Sequence, residues 1–353
     1  MNRYRGLNFG GWLSQIDAIE EKDPTGFPGI DAHMEQFLGA DDFTQVAKWG
    51  FNHVRLPVDY NYFFDEEANP IKSRFRYLDE ALAAALANHL LVMLDLHKCP
   101  GHTFHDESKQ VQLLFQGDKH IQLTVRVWQT LAERYGGFKN VLFEVLNEPV
   151  APTPQIWNKV KDRLCVAIRS FAPDIPIVVG SNMWNWPSTY PDFTPVNDGN
   201  VVYCFHFYEP LLFTHQQAPW LPEPEFRREY DYPDDYGNGV VRQYDLRMSA
   251  GNWNKARFEK ELAPVFAFRD KYDVPMICNE FGVYAGVPRE PQLRWMSDFL
   301  AVLKENDIGF SYWNYKNLDF GIISKDESTH AHLERYNNPK RLDRQMLQVL
   351  REG

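Results

Sequence analysis

The chain has 353 residues, 44% of them hydrophobic, and a formal net charge of −11 at pH 7. The acidic balance, with no block of Lys or Arg, argues against nucleic acid as a partner, because phosphate binding needs clustered positive charge. The sequence has no run of about 18 apolar residues, so no membrane span is expected. Aromatic residues make up 15% of the chain, which is a high share. Clefts that bind sugars use such rings, and ordinary packing in the core and at the rim is the alternative.

The amino terminus reads "MNRYRGLNFGGWL" and lacks the charged and apolar segments of a secretion signal. This predicts a cytoplasmic location, with secretion as the alternative if a leader precedes the sequence given. Cys99, Cys165, Cys204 and Cys278 include no CxxC pair, so we expect free thiols and a reducing compartment. The sequence shows no basic tail, coiled coil or dockerin-like repeat that would indicate a protein partner. A monomer is therefore expected.

Apolar runs alternate with amphipathic stretches along the whole chain. Near-continuous apolar runs suit parallel strands that are buried on both faces. The runs are 5–11, 53–58, 91–97, 141–147, 175–182, 201–208, 275–282 and 309–316. Helix patterns occupy 41–50, 78–89, 119–135, 155–171, 255–271, 291–305 and 341–351. Eight alternations predict an α/β fold, a single (β/α)8 TIM barrel over residues 1–353.

Two other features bear on the architecture. The structural alternative to a barrel is an open doubly wound sheet, but "NFGGW" does not match the Gly-rich phosphate turn of that fold. The connection at about 209–254 is unusually long, and such connections are commonly lids or small subdomains. We expect it to emerge at the carboxyl-terminal face of the barrel and to cover the cleft.

Polar residues end several runs where apolar residues are expected. The run "VLFEVLNEP" closes on Asn147, Glu148 and Pro149. In a TIM barrel the carboxyl ends of the strands form the active site, so groups far apart in sequence converge there. The groups expected at this end are Arg55, His97, Asn147, Glu148, His206, Tyr208, Glu280 and Trp313. Two glutamates on different strands suit glycoside hydrolysis, which needs a protonated acid and an anionic nucleophile.

Taken singly, each of these groups has a structural alternative. Either glutamate, or the arginine, could be part of a structural ion pair. Either histidine could be a hydrogen-bonded core residue, and the tryptophan could simply pack in the core. A zinc site is another alternative, since "HKCPGHTFH" offers His97, His102 and His105. That run contains a proline and a glycine and lacks the helical spacing of zinc proteases. A loop that shapes a cleft is preferred, and no metal ion or organic cofactor is expected.

The motifs "VRLP", "LHK", "LNEP", "HFY", "NEFG" and "YWNYK", in this order, resemble glycoside hydrolase family 5 of clan A. That family consists of retaining β-glycosidases on a (β/α)8 barrel. The resemblance runs from "GLNFGGWLSQ" to about residue 320. Within the family it is strongest for clostridial endoglucanases without secretion signals. These share the stretches found here at Asn8 to Gln15, His53 to Tyr60, His206 to Gln216 and Trp313 to Phe320.

The resemblance implies a role for each residue of the motifs. Glu148 would be the general acid/base and Glu280 the nucleophile. Asn147 would hold the sugar 2-hydroxyl, a contact that strengthens in the transition state. Arg55 would keep Glu280 ionised, because a nearby cation lowers the pKa of a carboxyl group. Tyr208 would hydrogen-bond Glu280 and help to position it.

Further residues are implied in sugar binding. His97 and His206 would orient neighbouring groups and contact the sugar in the cleaved position, and Trp313 would form the floor under it. Specificity is expected in the loops 12–34, 98–116, 183–193 and 209–254. Phe104, Trp184 and Trp186 are candidate sugar platforms, with packing at the rim as the alternative. Lys316 is a candidate contact to a sugar hydroxyl, with pairing to Asp319 as the alternative.

The resemblance favours an endo-β-1,4-glucanase, a cellulase that also cleaves mixed-linkage β-1,3-1,4-glucan. A β-mannanase or glucomannanase and an exo-acting β-glucosidase-like hydrolase are the enzyme alternatives. A sugar-binding barrel without catalysis is the non-enzyme alternative. The expected partner is therefore a β-glucan polysaccharide or oligosaccharide substrate. Retention of configuration would place the two carboxyl groups about 5–5.5 Å apart.

Overall fold

The chain folds as a closed barrel of parallel strands. The computed structural model describes residues 4–103, 113–221, 223–237, 250–323 and 342–353. Its strands are β1 (Arg5–Asn8), β2 (His53–Asp59), β3 (Leu91–Lys98), β4 (Val141–Glu144), β5 (Ile177–Gly180), β6 (Val201–Phe207), β7 (Asp234–Asp235), β8 (Asn252–Trp253), β9 (Met276–Phe281) and β10 (Gly309–Tyr312). The order around the barrel is β1-β10-β9-β6-β5-β4-β3-β2, while β7 and β8 form a separate antiparallel ribbon. The predicted TIM barrel is confirmed.

Helices connect the barrel strands. They are α1 (Ile16–Lys22), α2 (Ile30–Gln36), α3 (Ala40–Lys48), α4 (Tyr60–Phe63), α5 (Phe75–Ala87), α6 (Asp118–Tyr135), α7 (Pro154–Arg169), α8 (Asn182–Asn185), α9 (Leu211–Thr214), α10 (Lys255–Tyr272), α11 (Arg289–Glu305) and α12 (Arg344–Glu352). Short 3-10 turns occupy Lys72–Arg74, Leu113–Phe115, Pro187–Asp192 and Pro224–Arg227. The long helices form because each carries an apolar face that packs on the barrel. In α7 and α10 the caps Thr153 and Asn254 accept backbone N–H bonds that the first turn would otherwise leave unmade.

Some predicted boundaries differ from the structure. Three of the eight predicted runs extend three or four residues beyond the observed strands, which end at Asn8, Glu144 and Tyr312. Helices α1 and α2 lie in a stretch that the sequence analysis treats as a loop. Each has only seven residues, too few for a helical period to stand out from the background.

The barrel interior has an apolar base and a polar upper layer. The base is a separate cluster of buried side chains from five neighbouring strands, β3, β4, β5, β6 and β9, namely Met93, Leu142, Val178, Val202, Cys204 and Ile277. Buried polar side chains from β2, β3 and β4 lie nearer the carboxyl ends. The register between β6 and β9 shifts between Phe205 and His206. Such an irregularity redirects the following side chain, and here that side chain is His206.

Other expectations concern the thiols, the membrane and the long connection. All four cysteines are free and buried, as expected. Among the described residues no helix is both long and apolar enough to cross a bilayer. Within 209–254 the described parts contain α9, a 3-10 turn and the β7–β8 ribbon. The segment therefore has secondary structure of its own, as a small subdomain would.

Candidate active site

Two glutamates face each other at the carboxyl-terminal end of the barrel. Glu148 follows β4 and Glu280 lies in β9, and one carboxylate oxygen of each lies within 4.8 Å of the other. Their side chains are 11% and 7% exposed. Glu148 has a φ of 44°, in the left-handed region that residues other than glycine rarely adopt. Strained backbone of this kind concentrates at functional sites.

Glu280 is held by two donors. Arg55 Nη1 donates to its Oε1 at 2.7 Å, and the Tyr208 hydroxyl donates to its Oε2 at 3.1 Å. Burial raises the pKa of Glu280 to about 7, although His206 and Arg55 lower it. Burial also raises the pKa of Tyr208 well above its usual value, so the phenol keeps its proton and acts as a donor. The carboxylate of Glu280 is therefore fixed in orientation by a cation and a neutral hydroxyl.

Arg55 joins several buried polar groups beneath Glu280. It binds Glu144 through Nε at 2.7 Å and Nη2 at 2.9 Å, and its Nη2 lies 3.0 Å from Asp95. It also donates to the side-chain oxygens of Asn8 at 2.9 Å and Asn147 at 2.8 Å. Arg55, Asp95 and Glu144 have no exposed surface. A single guanidinium thus faces three carboxyl groups where water does not screen their charges.

Three of these groups are not predicted from the sequence. Asn8, Asp95 and Glu144 lie within runs whose pattern indicates only apolar strands. The available signal was the polar residue itself, since a carboxylate in the middle of a buried run must be paired. In "LVMLDLH" and "VLFEVLN" the acid pairs with the arginine of another strand, a partner that the run itself does not indicate.

His206 lies between the two glutamates. Its Nδ1 is 2.8 Å from Glu148 Oε1 and 3.5 Å from Glu280 Oε2. Because carboxylates accept hydrogen bonds, Nδ1 is expected to carry a hydrogen, and Nε2 can then accept from Asn185 Nδ2 at 3.4 Å. The backbone oxygen of Glu148 accepts from His102 Nε2 at 3.1 Å. The acid/base candidate is therefore held through both its side chain and its main chain.

Trp313 and His97 form a stacked pair beside the glutamates. The ring centroids are 5.7 Å apart and the planes differ by 5°. His97 Nδ1 bonds Asp95 Oδ2 at 2.7 Å. Gly10 lies against the indole, where a Cβ would come within 2.4 Å of the ring. The indole thus has one well-defined position, as a floor under a sugar requires.

Asn147 presents one group to the cleft. Its side-chain oxygen is bound by Arg55 at 2.8 Å, which fixes the orientation of the amide. Its Nδ2 is buried and has no hydrogen-bond partner among the described residues. A buried donor of this kind needs an acceptor, and a sugar hydroxyl can supply one.

Three further candidate sugar contacts lie among the described residues. Trp184 is half-buried, with its ring centroid 5.2 Å from that of Trp186. Trp186 is only 4% exposed, and a sugar platform there stays a prediction. Lys316 donates to the backbone oxygen of Phe37, while Asp319 pairs with Lys22. The contact of Lys316 to a sugar hydroxyl stays a prediction.

Phe104, the remaining predicted contact, lies outside the described residues, as does His105 of the alternative zinc site. Among the described residues, Glu148, His206 and Glu280 form the group that could hold a metal ion, with ligand atoms within 4.8 Å of one another. Arg55 lies 2.7 Å from one of these carboxylates. Its positive charge opposes a second cation at that place.

Comparisons with known proteins bear on the family and the fold of the chain. The family model described as cellulase (glycosyl hydrolase family 5) matches residues 18–319. Endoglucanase C of Acetivibrio thermocellus is 33% identical, over 91% of this chain and 93% of that protein. Cellodextrinase A of Ruminococcus flavefaciens is 30% identical, over 86% and 83%. The crystal structure of endoglucanase Cel5A from Thermotoga maritima superimposes with a TM-score of 0.74 at 22% identity, covering 98% and 96% of the two chains.

Proposed function

The chain belongs to glycosyl hydrolase family 5 and is an O-glycoside hydrolase, and from this we propose that it is a retaining endo-β-1,4-glucanase that also cleaves mixed-linkage β-1,3-1,4-glucan. The observation that carries the mechanism is the separation of Glu148 and Glu280, whose nearest oxygens lie within 4.8 Å. Retaining enzymes hold the two carboxyl groups about 5–5.5 Å apart, whereas inverting enzymes need about 6.5–9.5 Å to admit a water molecule. Support for β-1,4-glucan comes from relatives named as endoglucanases.

In the first step, the Glu280 carboxylate attacks the anomeric carbon. The bond from that carbon to the glycosidic oxygen breaks, and the oxygen takes the proton of Glu148. In the second step, Glu148 removes a proton from water, and the water oxygen attacks the same carbon. The bond to Glu280 breaks, Glu148 is protonated again, and the product keeps its β configuration.

The surrounding residues serve these two steps. Arg55 and Tyr208 orient Glu280 through the bonds of 2.7 and 3.1 Å. Asn147 offers its buried Nδ2 to the 2-hydroxyl of the sugar. His206 holds Glu148 at 2.8 Å and places it towards the leaving oxygen. Orientation of this kind lowers the barrier because the reacting groups need no rearrangement.

Residues 209–254 belong to the same proposal as a lid over the cleft that selects the glucan chain. The cytoplasmic location and the monomeric state stay predictions. Exo action remains the second candidate, because Cellodextrinase A of Ruminococcus flavefaciens is 30% identical over most of the chain. Product length separates the two modes, since an exo enzyme releases only mono- or disaccharide from the first turnovers.

The test is the release of reducing sugar from barley mixed-linkage glucan, carboxymethyl cellulose, glucomannan, mannan and laminarin. Activity on the first two, with a rapid fall in viscosity, is expected for the wild type. The Glu280→Ala variant should lose essentially all of it, because no nucleophile remains. Activity confined to mannan or laminarin would contradict the substrate proposal, and full activity of the variant would contradict the assignment of Glu280.

A further inference from the structure

We propose that Asn185 is a positioning residue for the proton transfer: it selects the tautomer of His206 and, through that ring, the oxygen of Glu148 that carries the proton. This inference rests on the proposed function, in which Glu148 is the general acid. Asn185 ends α8, shortly after β5, and has no exposed surface. A buried side-chain amide is expected to be hydrogen-bonded, and Nδ2 of Asn185 lies 3.4 Å from Nε2 of His206.

The amide of Asn185 is held in place by the backbone around it. A Cβ on Gly180, the last residue of β5, would lie 2.2 Å from Oδ1 and 2.7 Å from Nδ2 of this amide, which therefore fills the space beside the strand. Asn185 has a φ of 58°, in the left-handed region that asparagine adopts more readily than most residues. The turn is closed by the Trp186 N–H, which donates to the Met183 oxygen at 3.3 Å.

The direction of the bond from Asn185 fixes the hydrogen on His206. Nδ2 of an amide only donates, so Nε2 of the ring must accept and the ring hydrogen lies on Nδ1. The other side of the ring favours the same tautomer, because Nδ1 lies 2.8 Å from Glu148 Oε1 and 3.5 Å from Glu280 Oε2. A bare lone pair on Nδ1 would face the oxygens of both carboxyl groups, which repel it. His206 is thus a neutral ring that accepts from Asn185 and donates to Glu148.

The tautomer of His206 decides which oxygen of Glu148 is the acid. Because Nδ1–H donates to Oε1, that oxygen acts as an acceptor and the carboxyl proton lies on Oε2. In the acid step the Oε2–H bond breaks, the proton joins the glycosidic oxygen, and that oxygen keeps the electron pair of its broken bond to the anomeric carbon. With the ring hydrogen on Nε2 instead, Nδ1 would accept from Oε1–H, and the proton would point to the ring rather than to the substrate.

Asn185→Asp reverses the bond with little change in size. Aspartate also tolerates the left-handed conformation, but its carboxylate accepts, and since imidazole is the stronger base the ring carries a hydrogen on Nε2. A neutral ring then accepts the hydrogen of Glu148 Oε1, and a doubly protonated ring is a cation that keeps Glu148 ionised. Either outcome takes the acid away from the substrate. Asn185→Ala removes the donor only, leaves both tautomers available and should cause a smaller loss.

The experiment measures kcat/KM on dinitrophenyl and phenyl β-cellobioside, which share one glycon. Dinitrophenolate is a stable anion that leaves without a proton, whereas phenolate is helped by one, so the ratio of the two values reports on the acid step. The matched control is Asn140→Asp at the other end of the barrel, directly before β4. Asn140 is 6% exposed, its Nδ2 donates to the Leu90 oxygen at 3.2 Å, and its Oδ1, like that of Asn185, has no partner among the described residues.

In Asn185→Asp we expect kcat/KM on the phenyl cellobioside to fall at least about tenfold, out of the roughly 10²–10⁴-fold that general acid catalysis supplies. The value on the dinitrophenyl cellobioside should be nearly unchanged, and Asn140→Asp should keep the wild-type ratio. Equal losses on the two substrates would indicate a structural role only. Such losses, or an unchanged ratio, would overturn this inference alone.

Nitrogen NMR of protein labelled in its histidines observes the tautomer itself. The two ring nitrogens differ in chemical shift according to which one carries the hydrogen, and the signals of His206 are identified by their loss in His206→Asn. We expect the hydrogen on Nδ1 alone in the wild type and a hydrogen on Nε2 in Asn185→Asp. A hydrogen on Nε2 in the wild type would overturn the inference whatever the kinetics show. A wild type inactive on every cellobioside and glucan would overturn the proposed function and this inference with it.

Discussion

Arg55 sets a single positive charge against three buried carboxyl groups, those of Asp95, Glu144 and Glu280. Taking a carboxylate out of water raises its pKa, and one cation cannot offset that cost for three of them. Burial raises the pKa of Asp95 and of Glu280 to about 7 each, and raises that of Glu144 as well. The group therefore holds protons near neutral pH, and its members titrate together.

The acid limb of the pH profile follows from this charge arrangement. Glu280 attacks only as the anion, so kcat/KM should fall as the pH drops below about 7. The charge of Asp95 raises the pKa of Glu280. The Asp95→Asn variant removes this charge, so Glu280 should ionise at a lower pH and the acid limb of the profile should shift to lower pH. The measurement is kcat/KM on 4-nitrophenyl cellobioside between pH 4.5 and 9.

Asp59→Asn is the matched control for this shift. Asp59 is equally buried, with a pKa raised to about 7, but it pairs with Lys98 rather than with Arg55. Its replacement should leave the acid limb in place. An acid limb that stays put or moves upwards in Asp95→Asn would contradict the account of the Arg55 group.

At this scale the sequence revealed the residues at the ends of the strands but not those within them. Glu148, Glu280 and His206 were predicted to converge because the carboxyl ends of parallel strands share one rim. Asp95 and Glu144 could not be placed, since near-continuous apolar runs do not show which side chains face the interior. That assignment depends on strand tilt and register, which are properties of the closed barrel.

The connections after β4 and β5 position the acid/base candidate. Met183, Trp184 and Asn185 have φ values of 51°, 60° and 58°, so the chain turns tightly after β5. Asn182, which is 3% exposed, receives the Ala151 N–H at 2.8 Å and donates to the Ala151 oxygen at 2.9 Å. These two bonds join the turn to the loop that carries Glu148.

Loss of this link should affect both stability and activity. Asn182→Ala removes two buried hydrogen bonds and leaves their backbone partners unmatched, which should lower the free energy of unfolding by about 2–3 kcal/mol. The kcat should fall as well, because the loop of Glu148 loses its anchor. Urea unfolding and steady-state kinetics on cellotetraose measure the two effects.

Asn158 offers a matched comparison. Its side chain also makes a pair of backbone bonds, to the Asp192 oxygen at 2.9 Å and from the Thr194 N–H at 3.2 Å, but in an exposed place away from Glu148. Asn158→Ala should therefore cost about 1 kcal/mol or less and leave kcat unchanged. Equal kinetic effects of the two variants would refute the positioning role of Asn182.

Strands and helices were predictable from the sequence where their burial produces a run or a period of apolar residues. All eight barrel strands were found because each is a buried run of four to eight residues. The ribbon of β7 and β8 was missed, since two residues per strand carry no period. Helix α1 was missed also because it begins after Gln15, which is left-handed and provides no side-chain cap.

The whole molecule buries several carboxyl groups with raised pKa values. Those of Asp59, Asp95 and Glu280 lie at about 7. In the unfolded chain the same groups release their protons near pH 4. Between about pH 4 and 7 these three carboxyl groups bind more protons in the folded protein than in the unfolded chain, so they make stability fall as the pH rises through this window. Burial lowers the pKa of His53 to about 3 and that of His97 well below its usual value, which acts in the opposite direction below about pH 6.5, but two histidines offset only part of the effect of three carboxyl groups.

We expect the free energy of unfolding to decrease from pH 5.5 to 7.5. Each such group contributes up to about 1.4 kcal/mol per pH unit. Urea unfolding at pH 5.5, 6.5 and 7.5 measures the slope, and Asp59→Asn should make it less steep because one proton-binding group is gone. A free energy that is constant or rises over this range, or an unchanged slope in the variant, would be inconsistent with these pKa values.

The central claim is that Glu148 and Glu280 hydrolyse a β-1,4-glucan by double displacement. Proton NMR of the products from cellopentaose tests it most directly, because the new reducing end forms as one anomer before mutarotation mixes the two. We expect the β-anomer to form first and the α-anomer to follow at the rate of mutarotation. Initial formation of the α-anomer would show inversion, and would contradict the roles given to both glutamates.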